Sequence, residues 1–265
     1  MRQDPGRLRR HGRDQGAATV RFCSGCGRSL ARRDNFCGAC GVPSAEALDA
    51  ARAQVVAEHA RSRRMGEAMA LVFVGVLAAV LGLSTWGPDA PSLAMTGLLG
   101  AELGIGAAAL QRLGWHRWRA SLGRMPTAGH LACALPVAAA SLAVAFGYTA
   151  LLRTLVAAPA PEAEPGRWLS LSVLLGVLLV PVCEEWLCRG VLWIAVRPVA
   201  SAGVTLCVTA ALFALLHGLN GGYLLEVPHR FVGGLLFGWL RARSGSLLPS
   251  VVAHALHNGV ASIGA

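Results

Sequence analysis

The chain has 265 residues, of which 54% are hydrophobic and 14% charged, with a mean hydropathy of +0.52. A soluble domain carries about a quarter charged residues, so an ordinary globular enzyme is excluded and an integral membrane protein with a polar head is indicated. The formal net charge of +10 comes from arginines, with no lysine present. They gather before the first apolar run and in short loops, which speaks for membrane topology and against nucleic acid.

Residues 1–20, rich in Arg, Gly and Asp, read as a disordered basic tail. The first long apolar stretch begins near Gly66, too far along for the h-region of a cleavable signal. Between 21 and 42 stand Cys23-Ser-Gly-Cys26 and Cys37-Gly-Ala-Cys40. Paired CxxC units in a short polar stretch suit four thiolates around one structural zinc, with no position left open for catalysis; a pair of disulfides is the alternative. Each knuckle ends in glycine, Gly27 and Gly41, which permits a positive φ. The stretch Phe22–Gly41 resembles the small zinc ribbons found at the ends of many bacterial proteins. Cys133, Cys183, Cys188 and Cys207 lie in apolar segments and read as free thiols. Residues 43–65 form a predicted linker helix with Ser44 as N-cap, Glu46 in the first turn and arginines at the far end.

Seven apolar spans follow, at 66–86, 92–111, 128–157, 167–196, 202–219, 229–241 and 246–263. The sixth is short for a crossing, which takes about 20 residues. Residues 66–127 thus form an N-terminal transmembrane hairpin and basic loop, and 128–265 the core. The fold class is all-α, a polytopic transmembrane helix bundle preceded by a small ribbon. The 112–124 loop, the 197 turn and the 241–243 turn are basic, whereas 157–166 carries only acids. Positive loops stay inside, so the N-terminus and ribbon are expected in the cytoplasm, where thiols stay reduced.

Polar groups stand out inside these spans, where each charge costs roughly 2.5–3.5 kcal/mol on insertion scales. Glu185 and Arg189 share a helix face at i, i+4 and can pair. Glu184 points about 100° away and is left for chemistry, with Pro181 loosening the helix upstream. The plainer reading of this pair is a helix-end salt bridge. Glu184 and His217 lie about 15 residues before and after the turn near 198–203, so at 1.5 Å per residue on antiparallel helices they reach one level. His254 and Asn258 share a face at i, i+4, with His257 beside them; interhelical glue is the plainer reading. Arg230 reads as an interface anchor within reach of a substrate carboxylate. Gly234 and Gly238 make a smooth packing face. Glu102 in the second span is unexplained beyond a polar residue facing the bundle.

In order, EExxxR (Glu184–Arg189), FxxxH (Phe213–His217), RFxxG (Arg230–Gly234) and HxxxN (His254–Asn258) resemble the motifs of the CAAX prenyl protease and bacteriocin-processing (CPBP, or Abi) family of intramembrane proteases, over roughly 130–263. The resemblance implies an endopeptidase acting on membrane-associated proteins or peptides. It implies that Glu184 and His217 activate water, that Glu185 and Arg189 belong to the same catalytic motif, and that His254 and Asn258 form the oxyanion hole. Desolvation of a carboxylate base and amide or imidazole donors suit that chemistry. A metal-free mechanism is favoured, although Glu184, His217 and His254 could instead hold a divalent ion. A bacterial inner-membrane setting is expected. The alternatives are a non-catalytic adaptor or immunity-type protein whose ribbon recruits a cytoplasmic partner, and a proton-coupled transporter, disfavoured because no inverted repeat is seen.

Overall fold

The two cysteine knuckles fold by one hydrogen-bond pattern. Cys23 N–H donates to Arg28 O (2.8 Å) and Gly27 N–H to Cys23 O (2.9 Å); Cys37 N–H donates to Val42 O and Gly41 N–H to Cys37 O, both at 2.8 Å. Closing each turn puts its glycine at positive φ, 68° for Gly27 and 74° for Gly41, a conformation that costs any residue with a Cβ. The expectation from the CxxCG spacing holds. Strands β1 (Arg21–Phe22) and β2 (Ser29–Leu30) pair antiparallel beside the first knuckle.

These elements belong to a computed structural model that describes residues 21–31, 34–83, 91–156, 171–219 and 224–263. The predicted 1–20 tail and the acidic 157–166 loop lie outside the described residues. The chain divides into two units, Met1–Ala60 and Arg61–Ala265. Ser44 caps the next helix as expected, its hydroxyl accepting from Ala47 N–H at 3.2 Å. Glu46 in the first turn pairs with Arg21, and its carboxyl is held below the ordinary value by its own backbone N–H and by that arginine. Linker and first span are one helix, α1 (Ala45–Leu83, 39 residues), since no proline interrupts the run and Gly66 at the junction costs a helix only about 1 kcal/mol.

The second unit is helical. After α1 come α2 (Pro91–Leu113), a 3₁₀ turn (Trp115–Arg117), α3 (Trp118–Leu122), α4 (Ala128–Ala132) and α5 (Ala134–Val156). Then follow α6 (Leu171–Glu185), a π-turn (Trp186–Leu192), α7 (Trp193–Val196), α8 (Ala202–Leu219), a 3₁₀ turn (Leu224–Glu226), α9 (Val227–Ser244) and α10 (Leu248–Ile263). The all-α fold is as expected. Ala128–Leu155 is the one described helix both long and apolar enough to cross a membrane by length and composition, with mean hydropathy 1.9, and 22% of its most apolar stretch is buried. A soluble core helix would be mostly buried. Ala202–His217 is apolar but shorter. Large apolar side chains such as Leu103, Leu155, Leu178 and Ile263 face outward, while Glu102, Glu184, Glu185, Arg189 and His254 are buried.

Three readings of the loops and spans change. The 112–124 stretch is not an open loop but contains a helical turn and α3, stapled to the end of α9. Leu247 N–H donates to Leu122 O at 2.9 Å, Arg124 N–H to Gly245 O at 3.0 Å and Arg124 Nε to Ser244 O at 2.7 Å. The sixth span is short in apolar residues only; α9 runs 18 residues, with Pro228 in its first turn and Gly245 closing it at φ 65°. Finally, Arg241 is not a turn residue but is buried.

Helices α8 and α9 pack closely through the predicted glycine face. A Cβ on Gly234 would lie 3.0 Å from Ala210 Cα, and one on Gly238 would lie 2.4 Å from Leu206 Cδ1. Gly234→Val therefore forces backbone apart and should cost about 1–3 kcal/mol, read as a lower denaturant midpoint of the protein purified in detergent.

Candidate active site

Pro181 lies inside α6 and supplies no N–H. Five residues on, α6 gives way to the π-turn 186–192, the wide kind of turn often found at functional sites. The Glu184-Glu185 pair sits at that junction. Both carboxylates are buried, 3% and 0% exposed, so each needs partners within the bundle.

Glu185 has them. Its Oε1 accepts from Arg189 Nη1 at 2.9 Å, the i, i+4 pair read from the spacing, and lies 3.2 Å from His254 Nδ1. Arg189 is 0% exposed. Its Nη2 donates to Gly234 O at 2.7 Å, so the glycine that lets α9 approach α8 also supplies an acceptor. The guanidinium lies over the Phe213 ring at 4.5 Å and near Phe237 at 6.0 Å, contacts that favour a desolvated cation.

Glu184 is placed differently. Oε1 lies 3.7 Å from His217 Nε2 and Oε2 lies 3.8 Å from His254 Nε2. Both separations are too long for direct hydrogen bonds, and Oε2 has no hydrogen-bond partner among the described residues. His217 Nδ1 lies 2.9 Å from Phe213 O. A carbonyl only accepts, so Nδ1 carries a hydrogen, and in its neutral form the ring turns a bare Nε2 towards Glu184. The gap between Glu184 and His217 is thus bounded by two acceptors. At 3.7 Å the two atoms leave no room for a molecule between them; one with two hydrogens to donate, water being the simplest, can bridge both from the side.

His254 stands between the two carboxylates, 1% exposed, with Phe237 stacked on it at 5.0 Å and Phe213 edge-on at 5.3 Å. Its Nδ1 faces a carboxylate and so carries a hydrogen; for Nε2 to donate as well, the ring must hold both. Asn258 donates one amide hydrogen to Gly176 O at 2.9 Å, which leaves its second. A cavity of about 270 Å³ is lined by His217, Arg230, His257, Asn258, Gly176 and Val180, among others. Neither His254 nor Glu184 is part of that lining. Arg230 is paired with Glu226 at 3.1 Å and is partly exposed, so it stands at the cavity edge.

The structure thus brings Glu184, Glu185, Arg189, His217 and His254 into one cluster, with Asn258 one helical turn from His254. Sequence reasoning passed over Phe237, Gly176 as the acceptor for Asn258, and Arg241. For Arg241 a signal existed: Gly234, Gly238 and Arg241 fall at i, i+4, i+7 and share a face. Glu102 is buried at 1% exposure, and neither carboxylate oxygen has a hydrogen-bond partner among the described residues.

In the ribbon, the four cysteines are free, and their sulfurs lie within 4.8 Å of one another. Cys23 and Cys40 are 3.4 Å apart and Cys26 and Cys37 are 3.6 Å apart, close to the roughly 3.8 Å edge of a tetrahedron with metal–sulfur bonds of about 2.3 Å. Backbone N–H groups of Ala39 and Cys40 hold the Cys37 thiol down to about 6, and the Cys23 thiol is lowered in the same way by Cys26 and Gly25. Such sulfurs are ready ligands. The cluster can hold a metal ion and fits a zinc ribbon.

Residues 166–260 match the family model described as Rce1-like, type II CAAX prenyl endopeptidase Rce1-like. The matched segment contains all four polar motifs. The family lies within the CPBP group that the motifs resemble, its members are membrane-embedded proteases, and the match supports a hydrolase at that general level. No curated protein and no solved structure matches the chain.

Proposed function

We propose that this protein is an intramembrane endopeptidase that cleaves membrane-associated proteins or peptides, with Glu184 and His217 activating water. The observation that carries the reading is the approach of Glu184 Oε1 to His217 Nε2 at 3.7 Å, which lets one water at their side donate to both. Water held there gives one proton to Glu184 as its oxygen attacks the scissile carbonyl. The second hydrogen stays on the attacking oxygen, hydrogen-bonded to His217 Nε2. The tetrahedral oxyanion takes hydrogen bonds from the free amide hydrogen of Asn258 and from His254 when its ring carries both hydrogens. The proton on Glu184 then passes to the leaving amine as the C–N bond breaks.

The metal-free route is favoured because the donor atoms of Glu184, His217 and His254 do not converge on one point. Among the described residues, the only group of three or more ligand side chains whose donor atoms lie within 4.8 Å is the cysteine cluster. Arg230 at the cavity edge is the group most able to meet a substrate carboxylate, and prenylated C-terminal substrates are the class that the family description suggests. The seven spans, the cytoplasmic ribbon and the bacterial inner membrane complete the reading. The ribbon holds zinc as a structural ion and offers a surface for a cytoplasmic partner.

The test compares membrane-protein termini in cells lacking the protein, in cells restored with it, and in cells restored with Glu184→Ala. Termini that vanish in the deletion and return only with the intact protein name the substrates. Full restoration by Glu184→Ala would instead favour an adaptor. For the ribbon, elemental analysis of the purified protein is expected to find about one zinc per chain, lost in Cys37→Ser while helix content is kept; equal zinc in both proteins overturns the assignment.

A further inference from the structure

Arg241 is 5% exposed, and the acceptors that take its hydrogen bonds are all backbone carbonyls. Nη2 donates to Ala120 O (3.0 Å) and Ser121 O (3.3 Å), and Nη1 to Leu122 O (3.3 Å) and Gly245 O (3.0 Å). These include the last carbonyls of α3, which a helix end leaves without internal donors. Nε donates to Arg189 O at 3.0 Å. That bond has a specific origin. In an α-helix Arg189 O would accept from Trp193 N–H, but in the π-turn Trp193 N–H goes to Cys188 O and Gly190 O. The wide turn thus opens one carbonyl, on the very residue whose side chain holds Glu185, and Arg241 occupies it.

Space around the contact is just as constrained. Gly123, at φ 80°, stands where a Cβ would come within 2.0 Å of Arg241 Nη1. Trp186, the first residue of the π-turn, donates from Nε1 to Ser121 Oγ at 3.1 Å, so α3 grips the turn at two places. Leu187, Cys188 and Gly190 in the turn are buried. Chain segments at 120–122, 189 and 245 meet on one planar guanidinium, whose fork can serve several acceptors at once; an ammonium cannot reproduce that geometry.

We propose that Arg241 is a positioning residue for the Glu185–Arg189–His254 cluster, holding the π-turn in register through Arg189 O and so fixing where the Arg189 side chain presents itself to Glu185. It touches no reacting group. The proposal rests on the protease reading only for its kinetic arm.

The experiment uses the full chain in detergent, with Arg241→Lys and Arg241→Gln beside Glu184→Gln. Hydrogen exchange is read over 186–192 and over α10, and turnover is read on a substrate named by the termini comparison. The expected result for Arg241→Lys is a melting temperature near that of the intact protein and faster exchange confined to 186–192. Turnover should fall by up to about 10²-fold in kcat with KM little changed. Arg241→Gln should show the same pattern more strongly; where it fails to accumulate, Arg241→Lys carries both readouts. Exchange over 186–192 unchanged in the variants overturns the proposal, as does loosening spread equally over α10, which would make Arg241 a general strut. If Glu184→Gln cleaves like the intact protein, the protease reading fails, and the exchange arm still decides the role of Arg241.

Discussion

Glu184→Gln and His217→Gln are each expected to lower kcat/KM by about 10²–10⁴-fold, and the double variant by little more than the worse single one. The reason is the geometry of the gap. Oε1 of Glu184 and Nε2 of His217 are 3.7 Å apart, so in the proposed mechanism both groups act on the same water. Glutamine at either place puts a non-basic amide where a base stood, so the water is no longer deprotonated or held in the same orientation towards the carbonyl. Groups that work as a unit are strongly non-additive. Both substitutions should leave the fold intact. Glu184 Oε2 has no hydrogen-bond partner to lose among the described residues, and His217 keeps a polar group near Phe213 O when replaced by Gln. The measurement is steady-state cleavage by the purified protein, with circular dichroism to check folding. Losses that multiply in the double variant would mean that the two residues act at separate points.

Arg189→Met carries the largest expected effect on stability. Arg189 is fully buried, and its Nη1 is a hydrogen-bond donor to Glu185 Oε1 at 2.9 Å. Removing the cation strands a carboxylate that is itself 0% exposed, and breaking such a pair costs about 3–5 kcal/mol. Gly234 O loses its donor at the same time. The double change Glu185→Leu with Arg189→Met removes both charges and should recover much of the loss, because an apolar pair of similar volume carries no desolvation cost. Denaturant midpoints of the intact protein, Arg189→Met, Glu185→Leu and the double variant test this. A double variant no more stable than Arg189→Met would show that packing around Phe213 and Phe237, and not the stranded charge, sets the cost. Turnover should stay low in the double variant, since His254 then loses the carboxylate facing its Nδ1.

How far the sequence alone reaches can be seen residue by residue. Composition decided the membrane class, because 54% hydrophobic and 14% charged residues cannot cover a soluble surface of this size. The knuckles were legible because CxxCG is a local device: ligand spacing and the positive φ at Gly27 and Gly41 both arise within five residues. The Glu185–Arg189 pair was legible for the same reason, being one helical turn. That Glu184 and His217 share a level followed from counting residues to a common turn. What only the tertiary structure decided is how groups from different helices face one another. His254 falls between both carboxylates, Asn258 turns one hydrogen to Gly176, and Arg241 goes inward while Arg243 lies beside Trp239 at 5.7 Å. These depend on helix rotation and on the π-turn, whose extra residue shifts every later side chain around the axis. No periodicity in a single helix records that shift, because its cause is packing: Gly106 and Gly190 admit the Trp186 ring, and Arg241 takes the carbonyl that the turn leaves open.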